Sequence, residues 1–165
     1  MYRHFFKRLI DILLSGMGIL VLIPFCALVH FSKGPLGRIR YRSMNEINDF
    51  TLYVPWYHIN ANKELDYTIF TGGKDGLKSF PSGHAFCASM IFLLGCLPYT
   101  FNGFNEKRWK ILINVTCVIY TFTICFLRIV GGAHFLTDVV MGSAIGYFGI
   151  RILRYFLLER KKLVD

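Results

Sequence analysis

Long apolar stretches alternate with shorter polar segments along this chain of 165 residues, and most of its charged residues lie between the stretches. Four apolar stretches stand out, at residues 9–31, 85–101, 111–130 and 135–158. A helix crosses a hydrocarbon core of about 30 Å in roughly 20 residues, so each stretch is a candidate span. The pattern predicts an all-α integral membrane helical bundle with about four transmembrane helices and one long polar loop at residues 32–83.

Composition narrows the class of protein further. Hydrophobic residues make up 54% of the chain and charged residues 18%, which excludes a disordered chain or a coiled coil. The net charge of +9 could indicate nucleic acid, but the basic residues flank the apolar stretches, as in membrane proteins. We therefore expect a lipid bilayer and no nucleic acid as a partner. The five cysteines lie in apolar stretches without metal-ligand spacing, and we expect them to be buried hydrophobic side chains.

The distribution of the 19 lysines and arginines predicts an orientation in the membrane. Eleven of them lie before the first stretch, in the segment around Lys107, or after residue 150. The other eight lie in the polar loop or near Arg128. Because cytoplasmic segments carry the excess of positive charge, both termini are expected in the cytoplasm and the polar loop outside.

Three clusters of polar residues fall at the same predicted end of the helices. The first contains Lys33 and Arg40, the second is the segment Pro81-Ser82-Gly83-His84, and the third runs from Arg128 to Asp138. A phosphate group carries a charge of about −1.5 to −2 near neutral pH, so its binding calls for several fixed cations. Five residues are candidates for holding such a group: Lys33, Arg40, Ser82, Gly83 and Arg128.

Two histidines and an aspartate supply candidate chemistry beside these cations. His134 and Asp138 are four residues apart, so on one helix they share a face, and the carboxylate is expected to reach an imidazole nitrogen. Such pairing would fix the tautomer and leave the other nitrogen free as a nucleophile. His84 is then available as a general acid toward the leaving oxygen.

Taken together, the clusters resemble the three signature motifs of the type 2 phosphatidic acid phosphatase family, which shares its site with the vanadium haloperoxidases. The family pattern is Lys-x6-Arg-Pro, Pro-Ser-Gly-His and Ser-Arg-x5-His-x3-Asp. Here Tyr41 stands in place of the proline and Leu127 in place of the serine, and neither change removes a charge. Membrane members usually have six helices with the first motif after the third, whereas here it follows the first stretch.

The resemblance implies a membrane lipid phosphatase that uses a phosphohistidine intermediate and needs neither a metal nor another cofactor. His134 would be the nucleophile, Asp138 would orient it and His84 would protonate the leaving group. The substrate would be a polyprenyl diphosphate, phosphatidate or phosphatidylglycerophosphate, among which the sequence does not choose. The phosphoryl oxygens would be held by the five candidates named above, Lys33, Arg40, Ser82, Gly83 and Arg128.

A second resemblance covers residues 7–35, which are similar to the membrane anchor of bacterial phosphoglycosyl transferases. It leaves open a protein related to sugar-phosphate transferases, although the acidic pair of that family has no counterpart here. It also leaves open a first stretch that bends at Pro24 and re-enters the same side. A non-catalytic membrane protein with a decayed phosphatase site is a third alternative, and a haloperoxidase is the least favoured.

These considerations predict three regions: a membrane anchor helix at 1–31, a phosphatase-like catalytic domain at 32–158 and a charged tail at 159–165. We expect a multi-pass protein of a bacterial cell membrane, with its active site on the extracytoplasmic side. Because the chain has fewer predicted helices than its relatives, a homodimer is a further possibility. The small residues Gly142 and Gly146 would permit the close helix contact that a dimer needs.

Overall fold

The structure, a computed structural model, describes residues 16–59, 62, 64–100, 103 and 106–155. Every regular element in these ranges is helical and none is a strand, which confirms the all-α prediction. The α-helices are α1 (Gly16–Leu36), α2 (Tyr41–Ile47), α3 (Gly83–Ser89), α4 (Leu97–Thr100), α5 (Lys107–Val130) and α6 (Leu136–Arg154). Three-residue-per-turn helices occur at Tyr67–Ile69, Gly73–Leu77 and Met90–Cys96.

Helix α1 continues without a break through Pro24 and places Lys33 in its last turn. The described part of the first apolar stretch is therefore one helix, which extends beyond residue 31 into the segment predicted to be a loop. The part of the anchor resemblance at residues 7–15 lies outside the described residues.

The predicted polar loop folds around a small apolar core of its own. Ile39, Met44 and Phe70 are fully buried, and Phe135 from the start of α6 packs against them. Ile39 lies between Arg38, which is also buried, and Arg40, whose backbone is extended just before α2. Burial of Ile39 therefore anchors both arginines to this core.

The second apolar stretch is not one regular α-helix. Helix α3 changes at Met90 into a three-residue-per-turn helix, which gives way to α4 at Leu97. Pro98 lies in the first turn of α4, where a missing backbone N–H costs no helical hydrogen bond.

Helices α5 and α6 are the described helices that are long and apolar enough to cross a membrane. They coincide with the third and fourth predicted stretches, as far as residue 155 for the fourth. A membrane bundle is therefore plausible, and the count of four crossings, the orientation and the three regions stay predictions.

Helix α3 packs closely on α6 through the two small residues of α6. A Cβ on Gly142 would collide with the carbonyl oxygen of Ser82, and one on Gly146 would collide with Oγ of Ser89. This face is therefore occupied within the chain. A homodimer stays a prediction that requires another surface.

The expected burial of the cysteines is correct for one of them and wrong for two. Cys117 is buried, whereas Cys26 and Cys87 are exposed. The two exposed thiols lie on apolar helices whose surroundings the sequence alone does not specify.

Candidate active site

His134 precedes α6 and presents one free ring nitrogen. Its Nδ1 lies 2.7 Å from the carbonyl oxygen of Ser79. A carbonyl can only accept, so Nδ1 carries a hydrogen, and in the neutral imidazole Nε2 then keeps its lone pair. The residue is 2% exposed, and Nε2 is buried with no hydrogen-bond partner among the described residues. The geometry is that of a neutral imidazole prepared for nucleophilic attack.

Asp138 is close to His134 but does not form the expected hydrogen bond with it. Its Oδ2 is 3.8 Å from Nδ1 of His134, beyond hydrogen-bond distance. The same oxygen accepts from Oγ of Ser79 and, at 2.8 Å, from the backbone N–H of Phe135, the residue before α6. The expectation that Asp138 fixes the tautomer directly is therefore corrected: the carbonyl of Ser79 fixes it, because the carboxylate is turned back to the start of its own helix.

The other oxygen of Asp138 is held by an arginine that the motif analysis did not select. Nη1 of Arg38 lies 2.5 Å from Oδ1 of Asp138, and the two residues are 3% and 0% exposed. The arginines 38, 40 and 42 alternate along the sequence, and only long-range packing decides which of them meets Asp138. Ser79 was missed for the same reason, since its position two residues before Pro81 carries no chemical signal of its own.

The cationic candidates converge on the two histidines. Lys33 lies in the last turn of α1 and Arg128 in the last turn of α5, while Arg40 directly precedes α2. Nε of Arg40 and Nε of Arg128 are buried without a hydrogen-bond partner among the described residues. Burial, followed by the charges of Arg42 and Arg128, lowers the pKa of Arg40. An anion placed here would relieve both the desolvation and the repulsion.

His84 faces His134 across the same space. Their ring centroids are 6.3 Å apart and the ring planes are inclined by 54°. His84 is an exposed residue, yet partial desolvation, followed by cationic neighbours led by Arg128, lowers its pKa below the ordinary value of 6.5. One phosphoryl group between the rings could therefore touch both a nucleophile and a proton donor.

The Pro81-Ser82-Gly83 segment forms the wall of the site beside Lys33. Ser82 is fully buried and caps α3, its Oγ accepting from the backbone N–H of Ala85 at 3.3 Å. A Cβ on Gly83 would lie 3.2 Å from Nζ of Lys33, so glycine allows the ammonium group to approach the backbone closely.

Backbone hydrogen bonds join the three sequence clusters into one site. Ser79 N–H donates to the carbonyl of Arg38 and Ser82 N–H donates to that of Asp138, both at 2.9 Å. Arg42 N–H donates to Gly132 at 2.9 Å, which ties the first cluster to the third. All eight predicted site residues therefore lie in segments that the fold brings together.

A buried imidazole beside clustered cations is an arrangement suited to a phosphoryl group. The family model of the PAP2 superfamily matches residues 47–162, which is more than half of the chain, and the protein belongs to this superfamily. The match begins after Lys33 and Arg40, so the fold alone joins the first cluster to the other two. No solved structure matches the chain.

Membership implies a phosphatase that acts on phosphate esters. The two apolar helices and the superfamily together indicate association with a membrane.

Proposed function

We propose that this protein is a membrane lipid phosphatase that transfers the phosphoryl group of its substrate first to His134 and then to water. The observation that carries the proposal is the buried Nε2 of His134, which has no hydrogen-bond partner among the described residues, on a ring 6.3 Å from that of His84. No other described group combines these properties.

In the first step, Nε2 of His134 bonds to phosphorus as the bond from phosphorus to the lipid oxygen breaks. His84 gives its proton to that oxygen, and the lipid leaves as an alcohol or, from a diphosphate, as a monophosphate. In the second step His84 takes a proton from water, whose oxygen attacks phosphorus and frees Nε2. Lys33, Arg40 and Arg128 neutralise the phosphoryl oxygens, which is the task that a metal ion performs in other phosphatases.

A phosphohistidine is the product that tests this chemistry most directly. Quenching the protein with labelled lipid phosphate in the presence of EDTA is expected to trap phosphate that is labile to acid and stable to base. The His134→Ala variant should trap none. The His84→Ala variant should still accept the label but release the lipid much more slowly, by about 10²- to 10⁴-fold. Label retained by His134→Ala would contradict the assignment of the nucleophile.

An apolar groove that is lined by Lys33 supports a lipid as the substrate. The groove has a volume of about 520 Å³ and lies between α1 and α3, where Ile23, Ala27 and Phe86 are among its lining residues. Lys33 and Gly83 also line it. A phosphate bound at the site would therefore leave its hydrocarbon chain next to an apolar surface, where removal from water is favourable.

Filling the groove tests this part of the proposal. The Ala27→Trp variant is expected to raise KM for a long-chain phosphatidate by about tenfold, because the indole occupies the place of the chain. Hydrolysis of a soluble aryl phosphate should not change. Val118→Trp is the matched control, since Val118 is 55% exposed on α5 and does not line the groove. Equal effects on both substrates would argue against a lipid in this groove.

A further inference from the structure

We propose that Arg38 is a positioning residue for phosphoryl transfer, which acts by holding the carboxylate of Asp138 beside the imidazole of His134. The proposal deepens the proposed function and rests on it. The side chain of Arg38 forms hydrogen bonds with Asp138 and three other residues but with neither histidine, so its effect passes through Asp138.

The guanidinium of Arg38 is fixed on every side. Nη1 donates to Oγ1 of Thr137 at 2.7 Å and to Oδ1 of Asp138 at 2.5 Å. Nε donates to the carbonyl of Val54 at 3.1 Å, and Nη2 donates to the hydroxyl of Tyr53 at 3.2 Å. Its central carbon lies 4.2 Å from the ring centroid of Phe135. A planar fork fits this set of acceptors, whereas a lysine could satisfy only part of it.

The carboxylate of Asp138 has one orientation as a result. Arg38 holds Oδ1, while Ser79 and the backbone N–H of Phe135 hold Oδ2. Oδ2 is thus the oxygen that lies 3.8 Å from Nδ1 of His134. Rotation of the carboxylate would break several hydrogen bonds that a buried group cannot replace with water.

This orientation matters when the bond to phosphorus forms. Nδ1 of His134 keeps its hydrogen, so the ring becomes cationic as Nε2 bonds to phosphorus. The carboxylate oxygen near Nδ1 opposes that charge, and it does so most in the transition state and the intermediate. A buried ion pair is seldom more stable than apolar side chains of the same volume. The location of this pair beside the nucleophile is therefore better explained by orientation than by stability.

The first test compares Arg38→Met and Arg38→Lys with the wild type, using an aryl phosphate monoester that needs no lipid groove. Arg38→Met is expected to lower kcat by about 100-fold with KM within about threefold, because a small misplacement weakens the transition state and not the ground state. Arg38→Lys should recover part of the loss, since it restores charge without the fork. Arg151→Met, an exposed arginine on the same helix as Asp138, should match the wild type.

Binding of inorganic anions gives a readout that does not require turnover. Orthovanadate imitates the five-coordinate transition state and inorganic phosphate imitates the ground state. Arg38→Met is expected to weaken the binding of orthovanadate by about 100-fold and the binding of phosphate by less than about threefold. If the wild type hydrolyses aryl phosphates but no lipid phosphate, the proposed lipid substrate is wrong. The comparison of orthovanadate with phosphate still tests the positioning role of Arg38.

A double variant separates positioning from folding. Arg38→Met alone leaves a buried carboxylate without its cation, whereas Arg38→Met with Asp138→Leu removes both charges and is expected to unfold near the temperature of the wild type. The double variant should fold and remain as slow as Asp138→Leu alone. Wild-type kcat in Arg38→Met or in the folded double variant would overturn the proposal. So would a loss confined to KM, which would mean that Arg38 binds the substrate directly.

Discussion

The protonation state of His84 decides whether this residue can act as a general acid. Its pKa lies below the ordinary value of 6.5, because of partial desolvation and then the cations led by Arg128. A general acid must be protonated, and the protonated fraction of the free enzyme falls as pH rises through this lowered pKa. Bound phosphate adds negative charge near His84 and therefore raises its pKa again.

The expected pH dependence of catalysis follows from these two opposite effects on the pKa of His84. The decline of kcat/KM with rising pH should begin below pH 6.5, because it reports the free enzyme. The decline of kcat should occur at higher pH, because it reports the complex with substrate. Both profiles are measured with one phosphate ester between about pH 4.5 and 9. If the same decline with rising pH persists in His84→Gln, the titrating group is not His84.

At the level of helices, the small residues of α6 determine where the Pro81-Ser82-Gly83 segment lies. A Cβ on Gly142 would collide with the carbonyl of Ser82, whose N–H also bonds to Asp138. Gly142→Ala is expected to push α3 away from α6, to lower the free energy of unfolding by about 1–3 kcal/mol and to reduce activity. Thermal unfolding and hydrolysis of an aryl phosphate measure the two effects.

Gly95→Ala is the control for that substitution. A Cβ on Gly95 would meet nothing closer than 3.9 Å, from Oδ1 of Asn114. This variant should therefore retain both stability and activity. Normal activity in Gly142→Ala would show that the close contact between α3 and α6 is not needed to place Ser82.

The sequence predicts some helices far better than others, for physical reasons. Helix α5 coincides with a predicted stretch because an uninterrupted apolar run has only one regular solution in a bilayer. The segment after Ser89 departs from a regular α-helix at Met90, which hydropathy does not register. Hydropathy does not predict the core around Ile39 and Phe70 in the polar stretch, because the apolar residues that form it are far apart along the chain.

The site shows the same division between local and long-range information. The residue types and spacings of His84, His134 and Asp138 indicate phosphoryl chemistry without any structure. The partners of Asp138 are different, since Arg38 and Ser79 lie 100 and 59 residues away from it along the chain. No local spacing encodes such contacts, so these two residues emerge only once the chain is folded.

Over the whole molecule, the described helices present much apolar surface on their outer sides. On α5, Val118, Phe122 and Phe126 are 55%, 69% and 54% exposed, and Phe148 of α6 is 60% exposed. A contiguous apolar surface of this kind needs cover, which a bilayer supplies. The expected extracytoplasmic position of the site then depends on which way the helices cross.

Four helix ends meet at the site and constrain that direction. Lys33 lies at the end of α1 and Arg128 at the end of α5, while His84 and His134 lie at the starts of α3 and α6. Along the chain, helices that end at the site (α1 and α5) therefore alternate with helices that begin there (α3 and α6). If α5 crosses the membrane, its first residues lie on the face opposite the site, where the basic residues Lys107, Arg108 and Lys110 favour the cytoplasm.

Single cysteines in a variant that lacks the native five test this topology. Asn45→Cys, on an exposed position of α2 near the site, is expected to react with a membrane-impermeant thiol reagent added outside intact cells. Arg108→Cys, exposed at the start of α5, should react only after the membrane is opened. Phosphatase activity of each variant confirms that its fold is retained. Labelling of both positions from the same side would mean that α5 does not cross the bilayer, and the reverse pattern would place the active site in the cytoplasm.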